Sequence, residues 1–350
     1  MMRICVFAER LALPFDEGIK NYTQQLITQL ASRCEVLPLT CYGQDIPQLS
    51  IENVSANPLL LSPALRRRIR QFDPHVVIYV PTACATLFSF ARSRMLHVHA
   101  RGAPVFMMAL QVRQYGLMAR MLMPHLCPEL VMVQSELTER SLMYLPCSLS
   151  RLSPGIDLEK FRPVCPTKKT EIRVRHSLPL DASILLHVGH LNQGRNILAL
   201  SGLQSVHGQQ VVVVGSSSTP HDKELVDALR HRGVRVIDDY VANIAELYQA
   251  ADCYLFPVQN ETSAIDMPLS ILEAMACNIP VVATRFGALG VLANVKGVYL
   301  QDDPSTFQQA IDRCYDQPIA SRQWIEQFGW DRVINDLVAR ISDQCPIAEE

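Results

Sequence analysis

Short apolar runs alternate with amphipathic stretches along the chain. Between the first two runs, residues 18–32 carry apolar side chains at helical spacing and predict a helix with one buried face. The run VVIYV at 76–80 is rich in β-branched residues and lacks polar alternation, which is typical of a parallel strand buried on both faces. The first half contains five such runs, which predict strands at 3–8, 35–39, 76–80, 105–110 and 130–133.

A second set of apolar runs follows a break. Residues 153–180 are rich in proline, glycine and charge, and we interpret them as a linker. Strands alternating with helices twice over favour two doubly wound α/β sheets. Ligands of such sheets bind outside the carboxyl ends of the strands, which places the expected site in a cleft between two domains. The second half has predicted strands at 184–188, 210–214, 234–237, 253–257 and 280–283.

Length and composition narrow the class of protein. A chain of 350 residues with 49% hydrophobic and 19% charged residues suits two well-packed domains. Its formal net charge of −2 gives no general attraction to nucleic acid, so no nucleic-acid partner is expected. The 11 cysteines lie singly, without a C-x-x-C pair, which argues against a metal site or a disulfide framework.

The location of the protein is predicted from the same patterns. The start, Met1–Ala8, is too short an apolar run for a signal peptide and favours a first buried strand. No apolar run reaches the length of a membrane span. Scattered single cysteines fit a reducing compartment. We therefore expect a cytoplasmic protein, soluble or peripheral to the inner face of the membrane.

The segment 257–284 carries the strongest chemical signal. A strand ends at Pro257, a polar loop includes Asp266, and a helix is predicted to start near 267–268 with Pro268 in its first turn. The free N–H groups of Leu269 and Ser270 at that helix start would form an anion site suited to a diphosphate.

Glu273 lies one turn into the same predicted helix. A carboxylate at this position can accept two hydrogen bonds from the diol of a ribose. The alternative, an ordinary surface glutamate on a core helix, is equally compatible with the spacing.

A second polar segment follows the predicted strand at 184–188. The strand ends in Gly189, and a glycine-containing loop leads to a helix expected to start at Ile197. Arg195 in this loop can pair with phosphate oxygens through its two-pronged guanidinium, and His190 can donate to the same group. A solvated arginine and a loop histidine satisfied by its neighbours remain the alternatives.

These segments together resemble glycosyltransferase family 4, the retaining enzymes of the GT-B fold. Its motifs are matched by SPGID at 153–157 with Phe161 and Pro163, GHLNQGRN at 189–196, LYQAAD at 247–252 and FGWD at 328–331. The resemblance implies an α/β GT-B architecture of two Rossmann-like domains facing across a cleft. Residues 1–165 would form the acceptor-side domain, 166–323 the nucleotide-sugar domain, and 324–350 a terminal helix returning to the first.

The resemblance also implies a set of site residues. Arg195, Asp266 and Gln111 would be catalytic. The donor would be bound by Gly18, Gly189, His190, Arg195, Tyr240, Asp266, Leu269, Ser270 and Glu273. Tyr240 is placed near the base from its position alone. For Gly18, a plain helix-start glycine is a close alternative.

Two residues depart from the family pattern. The Glu-x7-Glu motif of the family would place a glutamate at position 265, where this chain has Ile265, and neighbouring Asp266 is the expected substitute. Gln111 stands where a histidine often follows the strand at 105–110. Glutamine can hydrogen-bond a sugar but cannot shuttle a proton, so the donor specificity is in question.

The implied chemistry is hexosyl transfer from a nucleotide-diphosphate sugar with retention of configuration and without a metal or cofactor. The leaving diphosphate would be stabilised by Arg195, His190 and helix N–H groups. The acceptor would be a glycan, glycolipid or small molecule, in cell-surface polysaccharide or glycoconjugate synthesis. A non-catalytic homologue that binds nucleotide sugar or glycan, and a nucleotide-sugar epimerase of similar fold, are the alternatives.

A basic and an apolar segment suggest a peripheral contact with an anionic membrane. Four arginines, Arg66, Arg67, Arg68 and Arg70, fall within six residues, and residues 112–126 mix arginines with methionine and leucine. The alternative is a solvated helix face and a Met/Leu stripe buried in the core.

Overall fold

The chain folds into two compact α/β units. A computed structural model describes residues 1–82 and 84–344. The first unit contains Met1–Gly155 and the segment that begins at Trp330, and the second is Ile156–Gly329. The chain therefore enters the second unit at Ile156, earlier than the expected boundary after residue 165, and leaves it after Gly329. Residues 345–350 of the expected terminal helix lie outside the described part of the chain.

Regular elements alternate through both units. The strands are β1 (Arg3–Ala8), β2 (Glu35–Thr40), β3 (Glu52–Asn53), β4 (Val76–Val80), β5 (Val105–Ala109), β6 (Leu130–Val133), β7 (Ser148–Arg151), β8 (Ser183–Gly189), β9 (Gln209–Gly215), β10 (Arg235–Ile237), β11 (Cys253–Phe256), β12 (Val281–Thr284) and β13 (Val298–Gln301). The α-helices are α1 (Gly18–Ala31), α2 (Pro63–Phe72), α3 (Leu87–His99), α4 (Leu117–Leu122), α5 (Glu136–Leu142), α6 (Pro166–Arg175), α7 (Lys223–His231), α8 (Ile244–Ala250), α9 (Leu269–Ala276), α10 (Phe307–Tyr315), α11 (Ser321–Ile325) and α12 (Trp330–Gln344).

The first unit is built on a parallel sheet. Its described strands follow the order β3-β2-β1-β4-β5-β6-β7. The chain moves one way from β1 through α1 to β2, and then the other way through α2 into β4 and through α3 into β5. Because parallel crossovers are right-handed, α1 lies on one face of this sheet, and α2 and α3 lie together on the other. Helix α12 packs beside α1, where the rings of Tyr22 and Trp330 are 6.0 Å apart.

The second unit repeats this design with the strand order β10-β9-β8-β11-β12-β13 over its described residues. Successive residues of β11 alternate between two apolar clusters on opposite faces of the sheet. Cys253 and Leu255 pack in one cluster, and Tyr254 and Phe256 in the other. Both faces of this sheet are therefore buried, as the uninterrupted apolar runs predict.

The expected linker at 153–180 is wrong for its central part. Residues 166–175 form α6, which begins at Pro166 and packs against α8. Arg173 of this helix is buried and bonds Asp252 at 2.5 Å and the carbonyl of Ala250 at 3.0 Å. The charged residues and the proline that suggest a loop thus belong to a packed helix. Proline does not prevent this, because it is well tolerated in a first helical turn.

Candidate functional site

Gly189 ends β8 beside two nitrogen-bearing side chains. A Cβ atom at Gly189 would lie 3.0 Å from Nε2 of His187 and 3.4 Å from Nη1 of Arg195. The glycine therefore lets the Arg195 guanidinium approach the end of the strand. Arg195 is only 9% exposed, so this predicted phosphate ligand is not a solvated surface arginine.

The loop after β8 is fixed to the loop after β11. A Cβ atom at Gly194 would lie 2.6 Å from Oγ of Ser263. The Asn196 amide, on a backbone with φ of 54°, donates to Oε1 of Gln259 at 3.0 Å. The predicted helix at Ile197 is a short 3-10 helix, Ile197–Leu203. These contacts bring the two segments that the sequence singled out into one place.

Helix α9 begins at Leu269. Pro268 is its N-cap, with φ of −64° and ψ of 125°, rather than a residue of its first turn as predicted. The backbone N–H groups of Leu269 and Ser270 are the first of the helix and have no acceptor within it, as in every α-helix. The helix therefore starts one residue later than predicted, and anion binding by these N–H groups stays a prediction.

Tyr254 connects the end of β8 with the first turn of α9. Its hydroxyl donates to the carbonyl of Val188 at 3.2 Å, and burial raises the pKa of Tyr254 while the neighbouring Ser270 side chain opposes that rise. Because Val188 directly precedes Gly189, this tyrosine places the glycine loop next to the helix start. The sequence analysis did not select Tyr254, which lies in the apolar run CYLF.

Glu273 is a buried residue with a defined partner. Its side chain is 7% exposed, and its Oε2 accepts a hydrogen bond from the Tyr248 hydroxyl at 2.6 Å. Burial raises the pKa of Glu273, while the Tyr248 bond and then the charge of Lys160 oppose that rise. The interpretation as an ordinary surface glutamate is therefore wrong for this chain.

His187 is an additional buried residue beside the loop. Its Nδ1 lies 2.8 Å from the carbonyl oxygen of Leu255, and within the described residues its buried Nε2 has no hydrogen-bond partner. Burial lowers the pKa of His187 to about 4; the Leu255 carbonyl opposes this shift and Arg195 adds to it. The imidazole is thus neutral and donates from Nδ1. The histidine within the otherwise apolar run ILLHV was an available signal for it.

Asp266 is held in the loop before α9. It is 1% exposed, and its carbonyl accepts a bond from the N–H of Ala288 at 2.8 Å. Gly287 has φ of +49°, and a Cβ atom there would lie 2.4 Å from the Asp266 carbonyl oxygen. Ile265 is also buried, at 8% exposure. The acid that the sequence proposed as a substitute therefore has a fixed backbone.

His190 and Tyr240 are more exposed than the buried residues described above. His190 follows Gly189 directly and is partly exposed. Tyr240 follows β10, which is separated from β8 by β9, and is 57% exposed. Its role near the base stays a prediction.

In the first unit, Gly18 is the first residue of α1. The carboxylate of Glu17 caps this helix, accepting from the N–H groups of Ile19 and Lys20 at 3.2 Å each. A Cβ atom at Gly18 would have no neighbouring atom within 4 Å. Within this unit, packing therefore does not require glycine at this position.

Gln111 lies just after β5 and is 7% exposed. Its Oε1 accepts a bond from Nη2 of Arg113 at 3.2 Å. Another buried polar group, missed by the sequence analysis, follows β1: Glu9 pairs with Arg92 at 2.7 Å and accepts a bond from the Tyr79 hydroxyl. Glu9, Tyr79 and Gln111 therefore lie at or near the carboxyl ends of three central strands, β1, β4 and β5.

The described residues contain neither a cluster of metal ligands nor a helix able to span a membrane. Within 1–82 and 84–344, no three or more histidine, cysteine or acidic residues are grouped as metal ligands would be. In the same ranges, every helix is too short or too polar to cross a bilayer.

Most of the second unit matches a known protein family. Residues 182–317 match the family described as "Glycosyl transferases group 1". These residues are thus similar to a glycosyl transferase group 1 domain. The matched range contains Arg195, Asp266, Glu273 and Tyr248, the hydrogen-bond partner of Glu273.

Curated relatives match about half of this chain. A D-inositol 3-phosphate glycosyltransferase of Xylanimonas cellulosilytica is 32% identical over 201 residues, covering 51% of this chain and 47% of the relative. One from Catenulispora acidiphila is 29% identical, covering 55% and 51%. The chain thus matches about half the length of these relatives.

Solved structures show the fold of the whole chain. Anabaena HepE in complex with UDP has a TM-score of 0.77 at 16% identity, covering 98% of this chain and 100% of that one. The lipopolysaccharide glycosyltransferase WaaG has a TM-score of 0.64 at 17% identity, covering 97% and 98%. The chain therefore has the GT-B fold, with two Rossmann-like parallel-sheet domains.

Proposed function

We propose that this chain transfers a sugar from a nucleotide-diphosphate donor to a hydroxyl group of an acceptor. The carrying observation is the position of Tyr254, which bonds the end of β8 through Val188 and has Ser270 at the start of α9 as a neighbour. One site then contains the Arg195 guanidinium, the first N–H groups of α9 and the Glu273 carboxylate. A cation, a helix start and an acceptor for a diol are the groups that a nucleoside diphosphate requires.

The proposed roles follow from the charges. Arg195 and the N–H groups of Leu269 and Ser270 bind the diphosphate and stabilise the negative charge that grows as it leaves. His190 donates to the same group. Glu273 accepts from the ribose diol through the carboxylate oxygen that Tyr248 does not occupy. Asp266 contacts a sugar hydroxyl in place of the glutamate absent at Ile265. The catalytic role of Gln111 stays a prediction.

The donor and acceptor are proposed by analogy with similar proteins. HepE has been solved with UDP and with UDP-glucose, so uridine diphosphate hexoses are the first donors to test. The matched curated relatives are named D-inositol 3-phosphate glycosyltransferases, so phosphorylated cyclitols join glycans and glycolipids as acceptors to test. We further propose metal-independent transfer with retention of configuration, on the cytoplasmic side of the membrane.

The primary test is a panel of nucleotide sugars measured by thermal shift, because a ligand that binds only the folded state raises its stability. The donor that binds is then incubated with acceptors, and the product is analysed for anomeric configuration. We expect transfer with retention. The absence of binding to every nucleotide sugar would contradict the proposal.

Two other outcomes correspond to the alternatives. Binding without transfer or donor hydrolysis would identify a non-catalytic homologue, which Ile265 and Gln111 favour. A changed sugar in the absence of acceptor would identify an epimerase.

We also propose a peripheral contact with an anionic membrane through the first unit. The Met/Leu segment is largely exposed rather than buried: Leu117 is 77% exposed, Met118 72% and Met121 65%. Arg120 lies on the same short helix α4. Exposed apolar side chains next to arginine suit an anionic bilayer. Sedimentation with anionic liposomes tests this contact; Leu117→Ser, Met118→Ser and Met121→Ser together are expected to abolish it.

A further inference from the structure

An open pocket of about 850 Å³ lies between helices α2 and α3 of the first unit. Both helices lie on the same face of the sheet and contact each other. The volume is within the range of pockets that bind small molecules, roughly 300–1,000 Å³. The charged part of its lining consists of Arg66, Arg67, Arg70 and Arg101.

The pocket has a strong excess of positive charge. Four of its lining residues are arginines and none is acidic. Arg101 approaches Asp73 only at 3.9 Å, and Asp73 already bonds Arg3 at 3.1 Å. Partial burial, followed by the charges of Arg66 and Arg101, lowers the pKa of Arg70. The arginines therefore repel one another, and an anion between them would relieve that repulsion.

Two lining residues carry buried polar atoms that the described protein does not satisfy. The Nε atom of Arg70 and the Nδ1 atom of His99 have no hydrogen-bond partner among the described residues. His99 is only 4% exposed, burial lowers its pKa, and its Nε2 donates to the Leu60 carbonyl oxygen at 2.8 Å. Nδ1 of this neutral ring is an acceptor, so of the two atoms Arg70 Nε is the donor available to an anion. Leaving a buried polar atom unpaired costs about 1–3 kcal/mol, so such atoms usually have a partner in the functional state.

The rest of the lining is apolar. Met95 and Pro63 contribute to the wall, and Leu61 and Val98 are 53% and 46% exposed at its edge. A free inorganic anion would leave these side chains uncovered, whereas a ligand with an apolar portion would cover them.

We propose that the pocket between α2 and α3 binds a phosphate group attached to an apolar body. The guanidinium groups of Arg66, Arg67 and Arg70 hold the phosphate, and Leu61, Met95 and Val98 contact the apolar part. The ligand is an amphiphilic phosphate, either free in solution or presented as a lipid headgroup by a membrane. The site does not depend on the proposed transfer reaction, and it makes the proposed membrane contact specific for phosphate.

Three probes separate the sources of the phosphate. Calorimetry measures inorganic phosphate and a short-chain phosphatidic acid below its micelle concentration. Sedimentation measures vesicles of phosphatidylcholine with and without phosphatidic acid. We expect saturable binding of the short-chain lipid, tighter than binding of inorganic phosphate. Binding to the phosphatidic acid vesicles without binding of either soluble probe would assign the site to membrane-presented phosphate.

The variants locate whichever binding is observed. Arg66→Ser with Arg70→Ser is expected to weaken it about 100-fold, about tenfold for each charge-assisted contact. The matched control, Arg94→Ser with Arg332→Ser, removes two exposed arginines of the same unit outside the pocket and should leave affinity unchanged. If the first pair unfolds by circular dichroism, the exposed Arg67→Ser replaces it, with a tenfold loss expected. No binding of any probe to the wild type, or an equal loss in pocket and control variants, would overturn the proposal.

The α4 variants keep this inference separate from the membrane contact. Replacing Leu117, Met118 and Met121 by serine should weaken vesicle binding and leave the affinity for the short-chain lipid unchanged. Loss of the soluble lipid as well would contradict a discrete pocket between α2 and α3.

Discussion

The hydroxyl of Tyr248 donates a 2.6 Å hydrogen bond to one carboxylate oxygen of Glu273, and both side chains are buried. A buried carboxylate resists ionisation, and a donor on one oxygen stabilises the charged form. The tyrosine therefore helps to keep Glu273 ionised and fixes its orientation. This pairing assigns a second residue to the proposed recognition of ribose.

Removal of the Tyr248 hydroxyl tests this pairing. Tyr248→Phe should weaken binding of UDP about tenfold, because the carboxylate loses a bond worth about 1.5 kcal/mol and its pKa rises further. Glu273→Ala should weaken binding by about 1.5–3 kcal/mol. Calorimetry measures both, with Tyr42→Phe, an exposed tyrosine of the other unit, as the control. Additive losses in the double variant would show that Tyr248 does not act through Glu273.

Arg195→Ala should lower kcat more than it raises the donor KM. The charge on the leaving diphosphate grows in the transition state, and loss of one such donor lowers kcat roughly 100- to 1,000-fold. Steady-state kinetics with the true donor and acceptor measure both constants. Arg285→Ala removes an exposed arginine of the same unit and should leave both nearly unchanged. A rise in KM alone would restrict Arg195 to binding the ground state.

The sequence predicts the central strands of the sheets better than the strands at the sheet edges. Strands with continuous apolar runs, such as β4 and β11, lie within a residue or two of their predicted positions. The polar strand β7 (SLSR) and the two-residue β3 were not predicted, because each depends on pairing with a distant neighbour rather than on its own pattern. Helix α6 was missed because its charged residues bond partners far along the chain.

The same difference between local patterns and contacts with distant residues explains which site residues were predicted. Gly189, Arg195 and Glu273 were found because a loop after a strand and a helix start are local patterns. Tyr248, Tyr254 and His187 lie in apolar segments, where a tyrosine or histidine is interpreted as a core residue. Their contacts at the site are therefore not evident from the sequence. Only the fold shows that Tyr254 bonds the carbonyl of Val188 at the end of β8.

Asp266→Asn tests the acid proposed to replace the glutamate absent at position 265. The carboxylate is expected to contact a sugar hydroxyl, so transfer should fall at least tenfold while the affinity for UDP stays unchanged. Kinetics with the donor and calorimetry with UDP separate these two effects. The control is Glu261→Gln, an exposed acid in the same loop. Native kinetics in Asp266→Asn would assign sugar recognition to other residues.

His187 should make the protein less stable in acid. Its pKa lies near 4 in the folded protein and at 6.5 when unperturbed, so the unfolded chain binds the proton more readily. The folded state keeps its full stability above pH 6.5 and loses about 1.4 kcal/mol per pH unit between pH 6.5 and 4. In His187→Asn, which retains a donor for the Leu255 carbonyl, this contribution should disappear. Urea unfolding measured across that window compares the two proteins, with the exposed His231→Asn as the control. Equal slopes for wild type and His187→Asn would mean that His187 binds a proton as readily in the folded protein as in the unfolded chain, and would contradict the lowered pKa.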